Sequence, residues 1–174
     1  MATFAMSEAL TIILKRNDPT SAAKQVSLTE LGSIKINKEE RTKMYKTIPR
    51  SSIIGFLIGV LPGAGATIAS FLAYGMERNV VSDEEKEKFG KGSVNGLSAP
   101  ETANNAACSG SFVPMLTLGI PGSGTTAVML GALLGFGVQP GPRLYMTNPE
   151  IFWSIIMSMY IGMVILLILN LPLI

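Results

Sequence analysis

The chain has 174 residues, of which 48% are hydrophobic and 15% are charged, and its mean hydropathy is +0.40. It contains no histidine and a single cysteine, Cys108. Imidazole metal sites, histidine-dependent catalytic triads and internal disulfides are therefore excluded. The net charge of +2 says little as a total, because the charged residues are concentrated in polar stretches separated by long uncharged ones.

The first predicted element is residues 1–14, a mostly apolar segment typical of the end of a membrane helix. The basic pair Lys15 and Arg16 is typical of its stop at the membrane interface. No basic region precedes the segment, so it does not fit a signal peptide. From the apolar residues at both ends, we expect the chain to be a fragment of a larger membrane protein.

Residues 15–50 form a polar linker with nine basic and four acidic residues. An excess of Lys and Arg beside a membrane segment marks the cytoplasmic side, so we expect this linker to lie inside the cell. A nucleic-acid site is the weaker interpretation, because Glu39 and Glu40 interrupt the basic residues and aromatic residues are scarce. Within the linker, residues 37–41 suit a short amphipathic helix.

Three windows without any charged residue follow, at positions 51–76, 102–142 and 151–174. Since about 20 apolar residues cross the hydrocarbon of a bilayer, each window is long enough to span it, and the second can enter and return. A soluble helical domain is the alternative, but residues 151–174 have no polar face to present to water. The pattern predicts an all-α integral membrane protein with a transmembrane transport region over residues 51–174.

Two of these windows contain copies of one short pattern, PGAGAT at residues 62–67 and PGSGTT at residues 121–126. Proline removes a backbone donor and glycine tolerates unusual backbone angles, so each copy predicts a helix break. Breaks in membrane helices persist only beside protein or a watery cavity, and paired breaks indicate a transporter's binding site. The sequence leaves open whether the helices are broken transmembrane helices or re-entrant hairpins.

The segment before the first motif carries Gly55, Gly59 and Gly63 at intervals of four residues. On a helix these glycines share one face, so we expect another helix to pack closely there. After the motif, residues 82–90 begin with a serine and acids and end with lysines and a glycine, which predicts a short surface helix.

Exposed N–H groups and the positive end of the helix dipole after each break favour an anion. The neighbouring amides Asn104 and Asn105 can hydrogen-bond a substrate carboxylate or hydroxyl. The predicted substrate-binding residues are Pro62, Gly63, Gly65, Thr67, Asn104, Asn105, Pro121, Gly122, Ser123 and Gly124.

Carbonyl and hydroxyl oxygens near the breaks suit Na⁺. The predicted ion-binding residues are Leu61, Thr67, Gly119, Thr125, Thr126 and Glu101. Glu101 has two equal interpretations, because a carboxylate within a membrane is often functional but this one can also cap the following helix at the interface. Both breaks can also be simple structural kinks that neighbouring helices stabilise. The repetition of the six-residue pattern favours a binding role for them instead.

A nucleotide-binding enzyme is a weak alternative. Neither glycine-rich motif is followed by the Lys-Ser or Lys-Thr of a phosphate-binding loop, and no acids suited to magnesium lie nearby. We therefore expect no enzymatic activity and no cofactor beyond a coupling ion.

The motifs resemble those of the large membrane subunit of the tripartite tricarboxylate transporters, the TctA type. The resemblance covers residues 4–8 and everything from about position 48 onward. It is carried by residues 58–71 (IGVLPGAGATIASF), 99–101 (APE), 104–106 (NNA), 118–122 (LGIPG), 139–142 (QPGP) and 169–173 (LNLPL).

The resemblance implies a multi-pass permease of the bacterial inner membrane. Its expected partners are a small membrane subunit and a periplasmic solute-binding protein that delivers citrate or another carboxylate. The resemblance also implies uptake driven by a gradient of Na⁺ or H⁺ and not by ATP. The alternative is a non-transporting membrane scaffold or assembly subunit that packs through its glycine-rich helix faces.

Overall fold

The computed structural model describes residues 36–170, and the predictions for residues 1–14 and for the linker up to position 35 lie outside this part. The described residues contain helices and no strand, so the predicted all-α class is confirmed for them. The helices are α1 (Lys38–Val60), α2 (Gly65–Val80), α3 (Asp83–Lys86), α4 (Val94–Gly110), α5 (Phe112–Leu118), α6 (Gly124–Gly135), α7 (Leu144–Thr147) and α8 (Pro149–Asn170).

Helix α1 is longer than the short amphipathic helix predicted at residues 37–41. It begins at a capping box in which the Asn37 backbone N–H donates to Glu40 Oε2 at 2.8 Å, and the Asn37 side chain caps the first turn. It then continues through Pro49 and across the expected linker boundary at positions 50 and 51. The basic residues and the apolar segment thus belong to one helix, which Pro49 does not end.

Three helices, α1, α2 and α4, pack along faces made of small residues. The inward positions recur every four residues, which is the spacing that keeps side chains on one side of a helix. The buried residues on these faces are Thr47, Ser51, Gly55 and Gly59 of α1, Ala69, Ala73 and Glu77 of α2, and Asn95, Ala99, Ala103 and Ala107 of α4.

The α1–α4 contact is backbone to backbone. A β-carbon added at Gly55 would lie 2.6 Å from the Cα of Ala103, and one added at Gly59 would lie 2.6 Å from the Cα of Ala107. Such separations are shorter than any van der Waals contact, so only glycine fits at these two positions. The predicted close packing of the Gly55 and Gly59 face is confirmed, whereas an added β-carbon at Gly63 would meet open space.

A second core lies beyond α4. The buried side chains of Met115, Leu116, Val138 and Leu144 form it, and residues of α5, α6 and α8 pack around them. The loop after α6 is tied to α5 by the Gly141 N–H, which donates to the Leu116 carbonyl at 3.0 Å. This core holds the second glycine-rich motif against the end of the three-helix bundle.

Within the described residues, α8 alone is long and apolar enough to cross a membrane, with a mean hydropathy of 2.4 and no part of that window buried. The windows at 51–76 and 102–142 do not form single helices. The first is divided between α1 and α2, and the second between α4, α5 and α6. The α1–α2 and α5–α6 boundaries coincide with the two glycine-rich motifs, whereas the α4–α5 boundary lies at Ser111.

The predicted surface helix at residues 82–90 is present in a shorter form, as α3 followed by a turn at Gly90 with φ of 76°. Glu85 of α3 is buried and accepts hydrogen bonds from Lys43 at 3.1 Å, Ser93 at 3.0 Å and Lys88 at 3.4 Å. Burial alone raises the pKa of this carboxyl, but the three hydrogen bonds outweigh it and hold the pKa below its ordinary value.

We expect acid to weaken the attachment of α3 to α1. A carboxyl with a depressed pKa stabilises the fold fully above its unfolded value of about 4.5 and loses that contribution as the pH falls through the lower folded value. Glu85→Gln should remove about 1 kcal/mol at pH 7, since part-exposed pairs contribute little more. Melting temperatures of the detergent-purified protein from pH 7 to pH 3 test this. A difference between wild type and Glu85→Gln that stays constant across this range would contradict it.

Candidate functional site

The first glycine-rich motif separates two antiparallel helices. Helix α1 ends at Val60 and α2 begins at Gly65. Gly63 and Gly65 have φ of 81° and 69°, a backbone region that strongly favours glycine. No side chain of the described residues caps the start of α2 at Ala64. The first turn of α2 therefore offers backbone N–H groups to whatever lies beside the motif.

The second motif has the same position between α5 and α6. Gly119 ends α5 in the left-handed conformation, with φ of 69°, and α6 begins at Gly124. Here the helix start is capped by its own residues: the Ser123 N–H donates to Thr126 Oγ1 at 2.8 Å, and the Thr126 N–H donates to Ser123 Oγ at 3.2 Å. The Thr126 hydroxyl is buried in this cap, so its role is at least partly structural.

The two motifs line one cavity, which we call the motif cavity, with a volume of about 540 Å³. A β-carbon added at Gly122 would lie 2.9 Å from Ser111 Cβ and 3.3 Å from the Gly59 carbonyl, so the second motif packs directly against the end of α1. Of the predicted site residues, the cavity brings together Gly63, Gly65, Thr67, Pro121, Gly122, Ser123, Gly124, Thr125 and Thr126.

Other predicted residues lie outside the cavity lining, namely Leu61, Pro62, Glu101, Asn104, Asn105 and Gly119. Asn104 is exposed and donates to Ser70 Oγ at 3.4 Å, and Asn105 is exposed and donates to the Glu101 carbonyl at 2.9 Å. The inward face of α4 is occupied by Ala103 and Ala107, so the two amides point to other sides of the helix. Neither amide lines the motif cavity, but Asn104 Oδ1 accepts a hydrogen bond from the thiol of Cys108, which lies beside both motifs, at 4.0 Å.

The carbonyl of Leu61, a predicted ion ligand, accepts the Ala64 N–H at 3.2 Å within the turn. One of the lone pairs of this carbonyl oxygen is thus already used by a hydrogen bond within the turn. Glu101 is exposed at the surface of α4. Among the described residues, no group of three or more His, Cys, Asp or Glu side chains could hold a metal ion.

The chemistry of the motif cavity is polar but uncharged. Of the residues that the structure describes, those that line it include hydroxyl groups, the Cys108 thiol, backbone groups and the Phe112 ring, and no Asp, Glu, Lys or Arg is among them. Two helix starts, those of α2 and α6, meet at this cavity, and each carries about half a positive charge. The arrangement suits an anion held by N–H and O–H donors.

Sequence reasoning missed a buried polar cluster at the opposite end of the bundle. Glu77 is fully buried, and its Oε1 accepts hydrogen bonds from Thr47 at 2.8 Å, Arg50 at 2.7 Å and Asn95 at 3.2 Å. We call these four residues the Glu77 cluster. The signal that could have found it is the spacing, because Thr47 lies eight residues before Gly55 and Glu77 lies four after Ala73 on the same helix faces.

Known proteins resemble this chain over much of its length. A family model described as "Tripartite tricarboxylate transporter TctA family" matches residues 1–174. An "Uncharacterized 52.8 kDa protein in TAR-I ttuC' 3'region" of Agrobacterium vitis is 41% identical over 159 residues, or 91% of this chain and 31% of that protein. An "Uncharacterized protein in TAR-II ttuC' 3'region" of the same organism is 48% identical over 120 residues, or 69% and 49%.

The chain thus spans 31% and 49% of the lengths of these two relatives. No solved structure matches it.

Proposed function

Because the chain belongs to the tripartite tricarboxylate transporter TctA family, we propose that it forms part of a membrane permease subunit for tricarboxylates or related organic anions. The family is one of transporters and not of enzymes. In this proposal the permease lies in the bacterial inner membrane as a multi-pass protein. It works with a small membrane subunit and a periplasmic binding protein that delivers the anion.

The observation that carries the proposal is the meeting of both glycine-rich motifs at one cavity. Two motifs 59 residues apart in sequence contribute their loops and the starts of α2 and α6 to the same space. Non-helical backbone at membrane depth is tolerated where it lines a cavity, and half-helix starts typically point at anionic groups of a transporter's substrate. We propose that a substrate carboxylate binds there.

The coupling ion is proposed to bind beside the substrate. Thr67 and Thr125 both line the motif cavity and present hydroxyl oxygens, which are suitable ligands for Na⁺. Because the cavity lining lacks basic side chains, a multiply charged anion there benefits from a cation or a proton that reduces its charge. We propose that uptake is driven by a gradient of Na⁺ or H⁺, and this arrangement supports the proposal.

We propose that α1 and α2 form a re-entrant hairpin with the motif at its tip. The uncharged part of α1, from Ser51 to Val60, is about 15 Å long at 1.5 Å per residue, which is half of the hydrocarbon thickness. The basic residues earlier in α1 would then lie at the cytoplasmic surface. The tip and the motif cavity would lie near the membrane midplane.

Cys108 provides a direct test, because this exposed thiol lines the motif cavity. In a transporter with Cys108 as its single reactive thiol, we expect citrate to slow labelling by a small maleimide at least several-fold. A neutral sugar at the same concentration should not. The Cys108→Ser variant gives the background of the measurement. Labelling that is unaffected by every carboxylate tested, in the presence or absence of Na⁺, would contradict the proposal.

Uptake of labelled carboxylates by cells that carry the complete transport system completes this test. We expect Thr67→Ala to lower uptake about tenfold, the effect of losing one hydrogen bond to a charged group. Thr42→Ala is the matched control, because Thr42 is exposed at the other end of the bundle and donates only to the Lys38 carbonyl. Comparing uptake with and without sodium identifies the coupling ion.

A membrane scaffold is the second candidate, and the close backbone contact of Gly55 and Gly59 with α4 favours it. A scaffold needs this contact but not the hydroxyl groups of the cavity. It predicts that Thr67→Ala leaves uptake intact while Gly59→Leu disrupts assembly. The transporter proposal predicts losses of uptake in both variants, with normal assembly in Thr67→Ala.

A further inference from the structure

A second polar pocket lies behind the second glycine-rich motif. It has a volume of about 490 Å³, and the residues that give it polar character are Gln139, Arg143, Thr147 and Asn148. We call it the Arg143 pocket. Its floor is the Pro140-Gly141-Pro142 turn, which two proline rings make rigid.

The Arg143 pocket contacts the end of α5, just before the second motif, through the backbone. A β-carbon added at Gly119 would lie 3.1 Å from the Pro140 carbonyl, and the Gly141 N–H is bonded to Leu116. Gly119 contacts Pro140, which lines the Arg143 pocket, and Pro121, two residues later, lines the motif cavity, so the two spaces are neighbours along this segment.

Arg143 is an unusual residue in this part of the chain. Between Lys91 and the last described residue, Asn170, it is the one basic side chain. It is exposed, and within residues 36–170 no carboxylate forms an ion pair with it. Glu150, the nearest acid in sequence, lines a different pocket on α8. The guanidinium is thus available to an anion from solution.

The pocket lies at the end of the bundle opposite the basic residues of α1. Helix α4 runs in the same direction as α1, because Asn95 bonds to Thr47 at one end and Ala107 meets Gly59 at the other. Helix α5 continues from α4, and the Arg143 pocket is attached to α5 at Leu116. In the orientation proposed above, the pocket faces the periplasm.

We propose that the Arg143 pocket is a receiving site, which binds one carboxylate of a polycarboxylate anion before the anion enters the motif cavity. This inference rests on the proposed function. The planar guanidinium binds a carboxylate in a two-pronged manner, and the amides of Gln139 and Asn148 add donors. The motif cavity lining has no basic side chain, so a charged residue outside it supplies the long-range attraction that the cavity lacks.

The test is the kinetics of citrate uptake by the complete transport system carrying Arg143→Gln. We expect KM to rise about tenfold with little change in maximal rate, since a charge-assisted pair is lost at a binding step. Arg143→Lys should recover part of the affinity. Arg78→Gln is the matched control, because Arg78 is also exposed but lies near the opposite end of the bundle, in the last turn of α2. It should leave KM unchanged.

Three outcomes would overturn the receiving site. The first is an unchanged KM in both Arg143→Gln and Gln139→Ala. If Arg143→Gln does not fold, an unchanged KM in Gln139→Ala alone counts against the site. The second is an equal rise of KM in Arg78→Gln. The third is an effect of Arg143→Gln that appears only in vesicles with anionic lipids, which would make Arg143 a lipid anchor.

Failure of the proposed function would look different. In that case wild-type protein itself would show no citrate uptake and no protection of Cys108 by citrate. If wild type transports citrate and Cys108 is protected, while Arg143→Gln keeps the wild-type KM, the receiving site alone is wrong.

Discussion

Glu77→Ala should destabilise the protein by about 3 kcal/mol, the low end of the cost of breaking a buried ion pair. The substitution removes the acceptor shared by Thr47, Arg50 and Asn95 and leaves their donors without it. We take the low end because the Arg50 side chain is 37% exposed, so water screens part of its charge. The measurement is the apparent melting temperature of detergent-purified protein, together with the amount of folded protein in the membrane.

The matched control is Glu84→Ala, which removes an exposed carboxylate from neighbouring α3. It should change stability by less than about 0.5 kcal/mol. A second comparison separates the effect of charge from the effect of packing. Arg50→Met combined with Glu77→Leu should be more stable than Glu77→Ala, because the partly buried charge of Arg50 is then no longer left without a partner. Equal melting temperatures for Glu77→Ala and Glu84→Ala would show that the Glu77 cluster contributes nothing to the fold.

Gly59→Ala should destabilise the protein by about 3 kcal/mol, the upper end of the cost of overpacking. The added methyl group would lie 2.6 Å from the Cα and 2.8 Å from the carbonyl carbon of Ala107, so α1 and α4 would have to separate. Backbone atoms cannot rotate away as a side chain can. Because Gly122 of the second motif also packs against the Gly59 carbonyl, we expect reduced uptake in the same variant.

Gly75→Ala is the control with the opposite expected sign. Gly75 lies within α2, and a β-carbon added there meets nothing within 4 Å. Replacing glycine by alanine in a helix interior stabilises it by about 0.5–1 kcal/mol. Equal effects of the two substitutions on melting temperature would contradict the close α1–α4 contact.

The local features of the fold could be predicted from sequence because they depend on neighbouring residues. The clustered proline and glycine residues at 62–65 and 121–124 disfavour a continuous helix, and helix ends are found there, whereas the isolated Pro49 lies within α1. The spacing of Gly55 and Gly59 predicted a close contact without identifying α4 as the partner. That partner depends on Ala103 and Ala107, which are unremarkable small residues in the sequence.

The placement of the two amides illustrates what depends on three-dimensional packing. Asn104 and Asn105 follow Ala103, the inward residue, so successive steps of about 100° place them on other faces of α4, from which Asn104 reaches Ser70 of α2. Their chemistry suggested a ligand, but only the packing of α4 shows which face is inward. The Glu77 cluster was missed for the same reason, since its residues come from three helices up to 48 positions apart.

The glycine and alanine faces hold α1 and α4 at a short separation but offer few interlocking side chains to resist sliding along their axes. The positions of α1, α2 and α4 along their axes are instead fixed at the end of the bundle that holds the Glu77 cluster. There, hydrogen bonds between Asn95, Thr47 and Glu77 connect one residue of each helix. The loops that line the motif cavity, at the other end of the same helices, therefore depend on these hydrogen bonds for their relative position.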